Sequence, residues 1–169
     1  AFNVKNKFNK EIIFALYYNK ANDTGHGYWY STTKPEEAQL TQPAPVFRAL
    51  YDARDNRLPL ISEYTEDKKG TYLLNKWFDN RNDALKGNVV ENDFPHLRYA
   101  DVVLMYAEAL AESGSSLGDA LVWLNKTRTR AGLDALKAED IPSKGAFIEA
   151  LADERGREFA LEGHRWFDL

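Results

Sequence analysis

The chain has 169 residues, 44% hydrophobic and 28% charged, an ordinary globular balance that excludes wholesale disorder and suffices for one domain with a real core. A net charge of −4 and an isoelectric point of about 5.5 argue against a nucleic-acid binder, whose phosphate contacts need a basic face. There is no cysteine, which removes disulfides, zinc–thiolate sites and thiol catalysis. No run approaches the ~20 apolar residues of a membrane-spanning helix.

The N-terminus, AFNVKNKFNK, lacks an initiating Met and the apolar core of a signal peptide, and the C-terminus stops inside the pattern Trp166-Phe167-Asp168-Leu169. Both ends read as cut, so a piece of a longer protein is expected. Residues 1–95 and 96–169 differ in texture. The first part mixes short apolar runs with Asn, Asp, Gly, Thr and Pro, and the second turns helical. They are read as the loop-rich and helical parts of one region, residues 1–169.

Glu11 to Tyr18 (EIIFALYY) is the clearest strand, a nearly continuous apolar run rich in β-formers. Asn19 to Thr33 follows as a loop, with Asn22, Asp23, Gly25 and Gly27 as turn-formers and the triplet Tyr28-Trp29-Tyr30. Pro43-Ala44-Pro45 is suited to opening a short helix through Tyr51, because Pro fits a first turn. A weaker strand is expected over Thr71 to Phe78, with Trp77 in the core, and Asp79 to Asp93 is a polar connection.

From Leu97 the period becomes helical. Over Arg98 to Glu112, Ala100, Val103, Leu104, Ala107, Leu110 and Ala111 fall on one stripe, and Ser113-Gly114 stops the helix. A second helix starts near Ser116 or Asp119, with Leu117, Ala120, Leu121 and Leu124 as its stripe and Gly132 at its end. The short join makes these two an antiparallel hairpin, and Ala107, Ala111 and Ala120 permit close backbone approach. A third, longer helix is expected from about Lys144 to Glu162, capped by Ser143, carrying Phe147, Ile148, Leu151 and Phe159, and ended by Gly163. The hairpin is like a tetratricopeptide unit of about 34 residues, of which one copy is found. A lone unit cannot bury both its faces, so further repeats are expected upstream.

The sequence offers little catalytic chemistry. His26, His96 and His164 are far apart and have no metal-type spacing partner, and GxSxG, GxxxxGK[ST] and GxGxxG are absent. No metal, cofactor or catalytic residue is therefore assigned. Glu154, Glu158 and Glu162 sit four apart, where three carboxylates repel unless cations intervene; Arg155, Arg157 and Arg165 are the expected cations. Glu108, set in an apolar stripe, calls for a partner such as Arg98, Arg128 or Arg130. Asp55-Asn56-Arg57 is likewise read as structural pairing. Three adjacent rings cannot all face one core, so at least one of Tyr28, Trp29 and Tyr30 is expected at the surface. Beside Asn22 and Asp23 they suit a carbohydrate, whose apolar face stacks on rings while its hydroxyls find polar groups. The alternative is a loop that packs its aromatics back onto the body.

Three strings carry a resemblance: LRYADVVLMYAEALAE (Leu97 to Glu112), ALVWLNKTRTRAGL (Ala120 to Leu133) and ERGREFALEGHRWFDL (Glu154 to Leu169). In order and spacing they resemble consecutive signatures of SusD/RagB proteins, with weaker echoes at Asn9-Lys10-Glu11, Asp55-x-Arg57 and Lys76-Trp77. The resemblance implies a mainly α, SusD-like fold with few short strands, one tetratricopeptide-like hairpin and a long C-terminal helix. It implies a non-catalytic lipoprotein at the cell surface, on the outer membrane, that captures oligosaccharide, polysaccharide or related nutrients. A TonB-dependent, SusC-like transporter would be its partner. The matched strings would be scaffold, and the lipidated N-terminus and earlier helical pairs would lie outside this chain. Exposed helix faces would then favour self-association. The competing readings are a tetratricopeptide-type scaffold that binds a peptide segment and a glycoside hydrolase with two carboxylates about 5–10 Å apart.

Overall fold

The computed structural model describes residues 5–19, 44–61, 63–64, 72–73, 75–77 and 91–168. The chain is mainly helical with few short strands, and it divides into two compact units that interleave in sequence. One comprises residues 1–49 and 58–97, the other residues 50–57 and 98–169.

In the first unit, strand β1 (Ile12–Leu16) falls within the expected apolar run and pairs with β4 (Phe94–Arg98). The sequence reading missed β4, because Pro95 and the polar residues before it look like connection. Lys7 ties the two together, pairing with Asp93 at 2.9 Å, while Asp93 also accepts from the Tyr18 amide. Helix α1 (Pro45–Arg48) has Pro at its first turn as expected, yet it stops three residues before Tyr51. A single-turn helix, α2 (Leu58–Ile61), leads to β2 (Glu63–Tyr64), which is antiparallel to β3 (Tyr72–Leu73), with Glu63 opposite Leu73. The expected Thr71–Phe78 strand is thus only two residues long, and a 3₁₀ turn at Asn75–Trp77 follows. Trp77 is fully buried and stacks on Phe94 at 5.4 Å.

The second unit holds α3 (Tyr99–Glu112), α4 (Leu117–Arg130), α5 (Lys144–Glu158) and the single turn α6 (Arg165–Asp168). Caps set the ends. Ser116 accepts from the Gly118 amide and Ser143 from the Ala146 amide, each satisfying a first-turn donor that has no partner within the helix. Gly114 and Gly132 take left-handed φ values of 79° and 84° just past α3 and α4, where a side chain would be strained. The apolar stripes meet in one core that runs from Ala100, Leu104, Ala107 and Ala111 through Ala120, Leu121 and Leu124 to Phe147, Leu151 and Phe159. Ala107 and Ala120 have no exposed surface, so small side chains let α3 and α4 pack closely.

Helix α5 ends at Glu158, one turn before the expected Glu162. Arg98 Nη2 donates at 2.8 Å to the Glu158 carbonyl, the acceptor that a continuing helix would offer to the Glu162 amide. That amide turns to the Phe159 carbonyl instead, and Leu161 adopts φ 65°.

Candidate functional site

The residues proposed from sequence to contact a ligand, Asn22, Asp23, Tyr28, Trp29 and Tyr30, lie outside the described residues. The second constellation singled out by sequence, the acids of the long helix, is fully described and lies within the helical unit.

Glu154, Glu158 and Glu162 are at most 4% exposed, and such burial of carboxylates is tolerated only with close cations and hydrogen bonds. Arg57 supplies the first set. Its Nε and Nη2 grip both oxygens of Asp55 at 2.9 and 2.8 Å, and its Nη1 reaches Glu154 at 2.8 Å and Glu158 at 3.0 Å. Arg98 supplies the second: Nε and Nη2 hold Glu162 at 2.7 and 2.8 Å, and Nη1 holds Glu158 at 2.7 Å. Arg130 adds a third cation to Glu158, and Arg157 binds Glu154 from one turn along the helix at 3.2 Å. Two-pronged guanidinium–carboxylate pairs of this kind fix orientation as well as charge.

Electrostatics follow from these contacts. Burial pushes the Glu158 carboxyl up, but Arg98 and Arg130 beside it win and hold it well below the usual carboxylate range. Burial likewise opposes the charge on Arg57, and its bonds to Asp55 and Glu154 more than offset it, so its pKa is raised. Burial raises the Tyr51 phenol, whose hydroxyl donates to the Arg157 carbonyl at 2.9 Å. These acids are buried, and each is held by at least one arginine. They are placed to fasten the 50–57 segment and the entry to α3 onto α5.

The cations differ in part from those the sequence suggested. Arg157 does serve Glu154, but Arg155 pairs with Asp101 and Asp168 at 2.8 Å each, and Arg165 donates to the Ala152 carbonyl. Arg57 and Arg98 were not assigned to these acids, and the trace of them in the sequence was the Asp55-x-Arg57 string. Glu108 is exposed, so it has no burial cost to offset; its three suggested partners, Arg98, Arg128 and Arg130, face Glu154, Glu158 and Glu162 instead. His164 stacks on Phe159 at 4.6 Å, and Arg98 lies over the same ring at 4.6 Å. Among the described residues, no three His, Asp or Glu side chains gather as a metal site, and no helix is long and apolar enough to cross a membrane.

Comparison with known proteins places this geometry in a family context. The model of the SusD family matches residues 55–169, beginning at the aspartate that grips Arg57. SusD-like protein P2 of Formosa agariphila is 32% identical over 88 residues, which are 49% of this chain and 17% of that protein. Among solved structures, a SusD superfamily protein from Bacteroides vulgatus superposes with a TM-score of 0.76 at 26% identity, covering 99% of this chain and 37% of that one. Surface glycan-binding protein A from Bacteroides uniformis gives 0.70 at 22% identity, covering 99% and 38%. The chain therefore spans well under half the length of each of these proteins.

Proposed function

The chain belongs to the SusD family, and from that premise we propose that it is part of a non-catalytic surface protein that binds glycans for uptake. The observation that carries the reading is the family match over residues 55–169, which spans the helical hairpin, the long helix and the charge cluster together. The cluster supports the non-catalytic half of the reading, since three of the acids most suggestive of a hydrolase are consumed in ion pairs. The shared fold with a surface glycan-binding protein supports the ligand class.

On this proposal the whole protein is a lipoprotein on the outside of the outer membrane, working with a TonB-dependent, SusC-like transporter. Residues 96–169 are its helical support and residues 1–95 its loop-rich part, together one C-terminal region. Tyr28, Trp29 and Tyr30 offer stacking faces to the sugar, with Asn22 and Asp23 as polar partners. A glycan-array screen on the full-length protein tests the ligand class, and a polysaccharide it retains then serves for affinity electrophoresis. Trp29→Ala is expected to weaken retention about tenfold, or about 1.4 kcal/mol. Unchanged retention would remove the aromatic triplet from the ligand site.

A further inference from the structure

The helical unit contains a crevice that the charge cluster does not fill. It has a volume of about 440 Å³ and opens between residues 50–54 and the loop that follows α4, within the range of about 300–1,000 Å³ typical of small-molecule sites. Its walls are fastened on both sides. The Asn56 amide donates to the Ala131 carbonyl at 2.9 Å, and Arg54 reaches across to Asp134 at 2.9 Å. Asn125 holds Leu136 through both its amide and its carbonyl, at 2.8 and 2.9 Å.

Arg128 lies in this crevice with its side chain 15% exposed. Its Nε and Nη2 share one carbonyl, that of Asp134, at 3.3 and 3.2 Å. Its Nη1 stands 3.8 Å from Glu154, beyond hydrogen-bond reach, and makes no hydrogen bond among the described residues. Glu154 has little to give it, being already engaged by Arg57 and Arg157. Burial lowers the Arg128 pKa in spite of the pull of Glu154. The guanidinium is half-buried and, among the described residues, keeps one nitrogen without a hydrogen bond, to which a carboxylate can add a charge-assisted bond.

We propose that this crevice is a subsite for one carboxylate-bearing sugar unit, with Arg128 pairing the carboxylate. The inference rests on the glycan-binding reading and narrows its ligand class. Leu50, Leu133 and Leu136 line the crevice with apolar surface for the carbon face of a pyranose, and Asp52 and Asp140 offer acceptors to its hydroxyls. The same aspartates, with Asp134, repel a doubly charged phosphate more strongly than a singly charged carboxylate.

The test is a ¹H–¹⁵N NMR titration of the 169-residue chain with galacturonate, glucuronate and galactose. Either uronate is expected to shift the amides of Leu133 to Leu136 saturably, at least tenfold more tightly than galactose. In Arg128→Gln that preference disappears, while Arg128→Lys keeps part of it. No saturable response to either uronate overturns the subsite, as does an equal response to galactose or a preference that survives Arg128→Gln. The wild-type comparison needs no variant, so a folding defect in Arg128→Gln leaves the test intact. Glycan retention by the full-length protein is read separately: retention with an empty crevice sinks the subsite and spares the glycan-binding reading, which falls only if retention is absent.

Discussion

Glu158→Gln is the perturbation that probes the helical support most sharply. Glu158 is 4% exposed and receives Arg57, Arg98 and Arg130 at once. Glutamine keeps the shape but removes the charge, and its NH₂ faces a guanidinium where an acceptor stood. Removing one partner from a buried ionic set costs about 3–5 kcal/mol, because the cations left behind remain desolvated. For a chain of this size each kcal/mol moves Tm by roughly 2–4 °C, so a fall of roughly 6–20 °C is expected. Urea unfolding followed by circular dichroism at pH 7 gives the free energy directly, and a melt gives Tm. Glu112→Gln is the control: its pair with Lys144 is about half exposed on both sides, and such pairs contribute about 0–1 kcal/mol. If Glu158→Gln cost no more than Glu112→Gln, the cluster would not be the fastening described here.

The same cluster predicts an acid dependence. The folded pKa of Glu158 is depressed from its ordinary 4.5, so its stabilisation is fully present above that ordinary value and is lost as pH falls below it towards the folded pKa. Urea midpoints measured downward from pH 6 should therefore decline for the wild type and decline less for Glu158→Gln; parallel curves would refute this. Gly132→Ala should cost more than Gly114→Ala in the same urea assay. Both positions have left-handed backbone, a strain of about 1–2 kcal/mol for a side chain, but only at Gly132 would the new Cβ also meet Asn56 at 2.8 Å and the Arg54 carbonyl at 3.3 Å. Phe147→Ala, at a fully buried ring in the core, should cost about 3–5 kcal/mol; less than 1 kcal/mol would mean the helices do not share that core.

Much of the helical unit could be read in the sequence because its determinants are local. The stripes of α3, α4 and α5 recur at helical spacing, and Ser116, Ser143, Gly114 and Gly132 mark their ends with chemistry that acts within one turn. What escaped was non-local. Arg98 bonds the last carbonyl of α5 from sixty residues away in sequence, and the acids of α5 find Arg57 across about a hundred residues. No periodicity links such positions. The strand β4 hid behind Pro95, whose ring argues against a strand in any reading by propensity. Two neighbouring arginines of α5 divided against expectation: Arg157 turned to Glu154, and Arg155 to Asp101 and Asp168. The choice depends on which face of the helix each occupies once packed. The aromatic triplet Tyr28-Trp29-Tyr30 and its neighbours Asn22 and Asp23 fall outside the described residues, so the proposal that they contact the ligand rests on ring chemistry and loop composition.

The most direct measurement is calorimetric: a retained oligosaccharide is titrated into the full-length protein and the heat is followed for hours after the last injection. Capture without reaction gives a saturable isotherm followed by a flat baseline and intact sugar. Continuing heat with new reducing ends, or no saturable heat from any glycan the array selects, would contradict it.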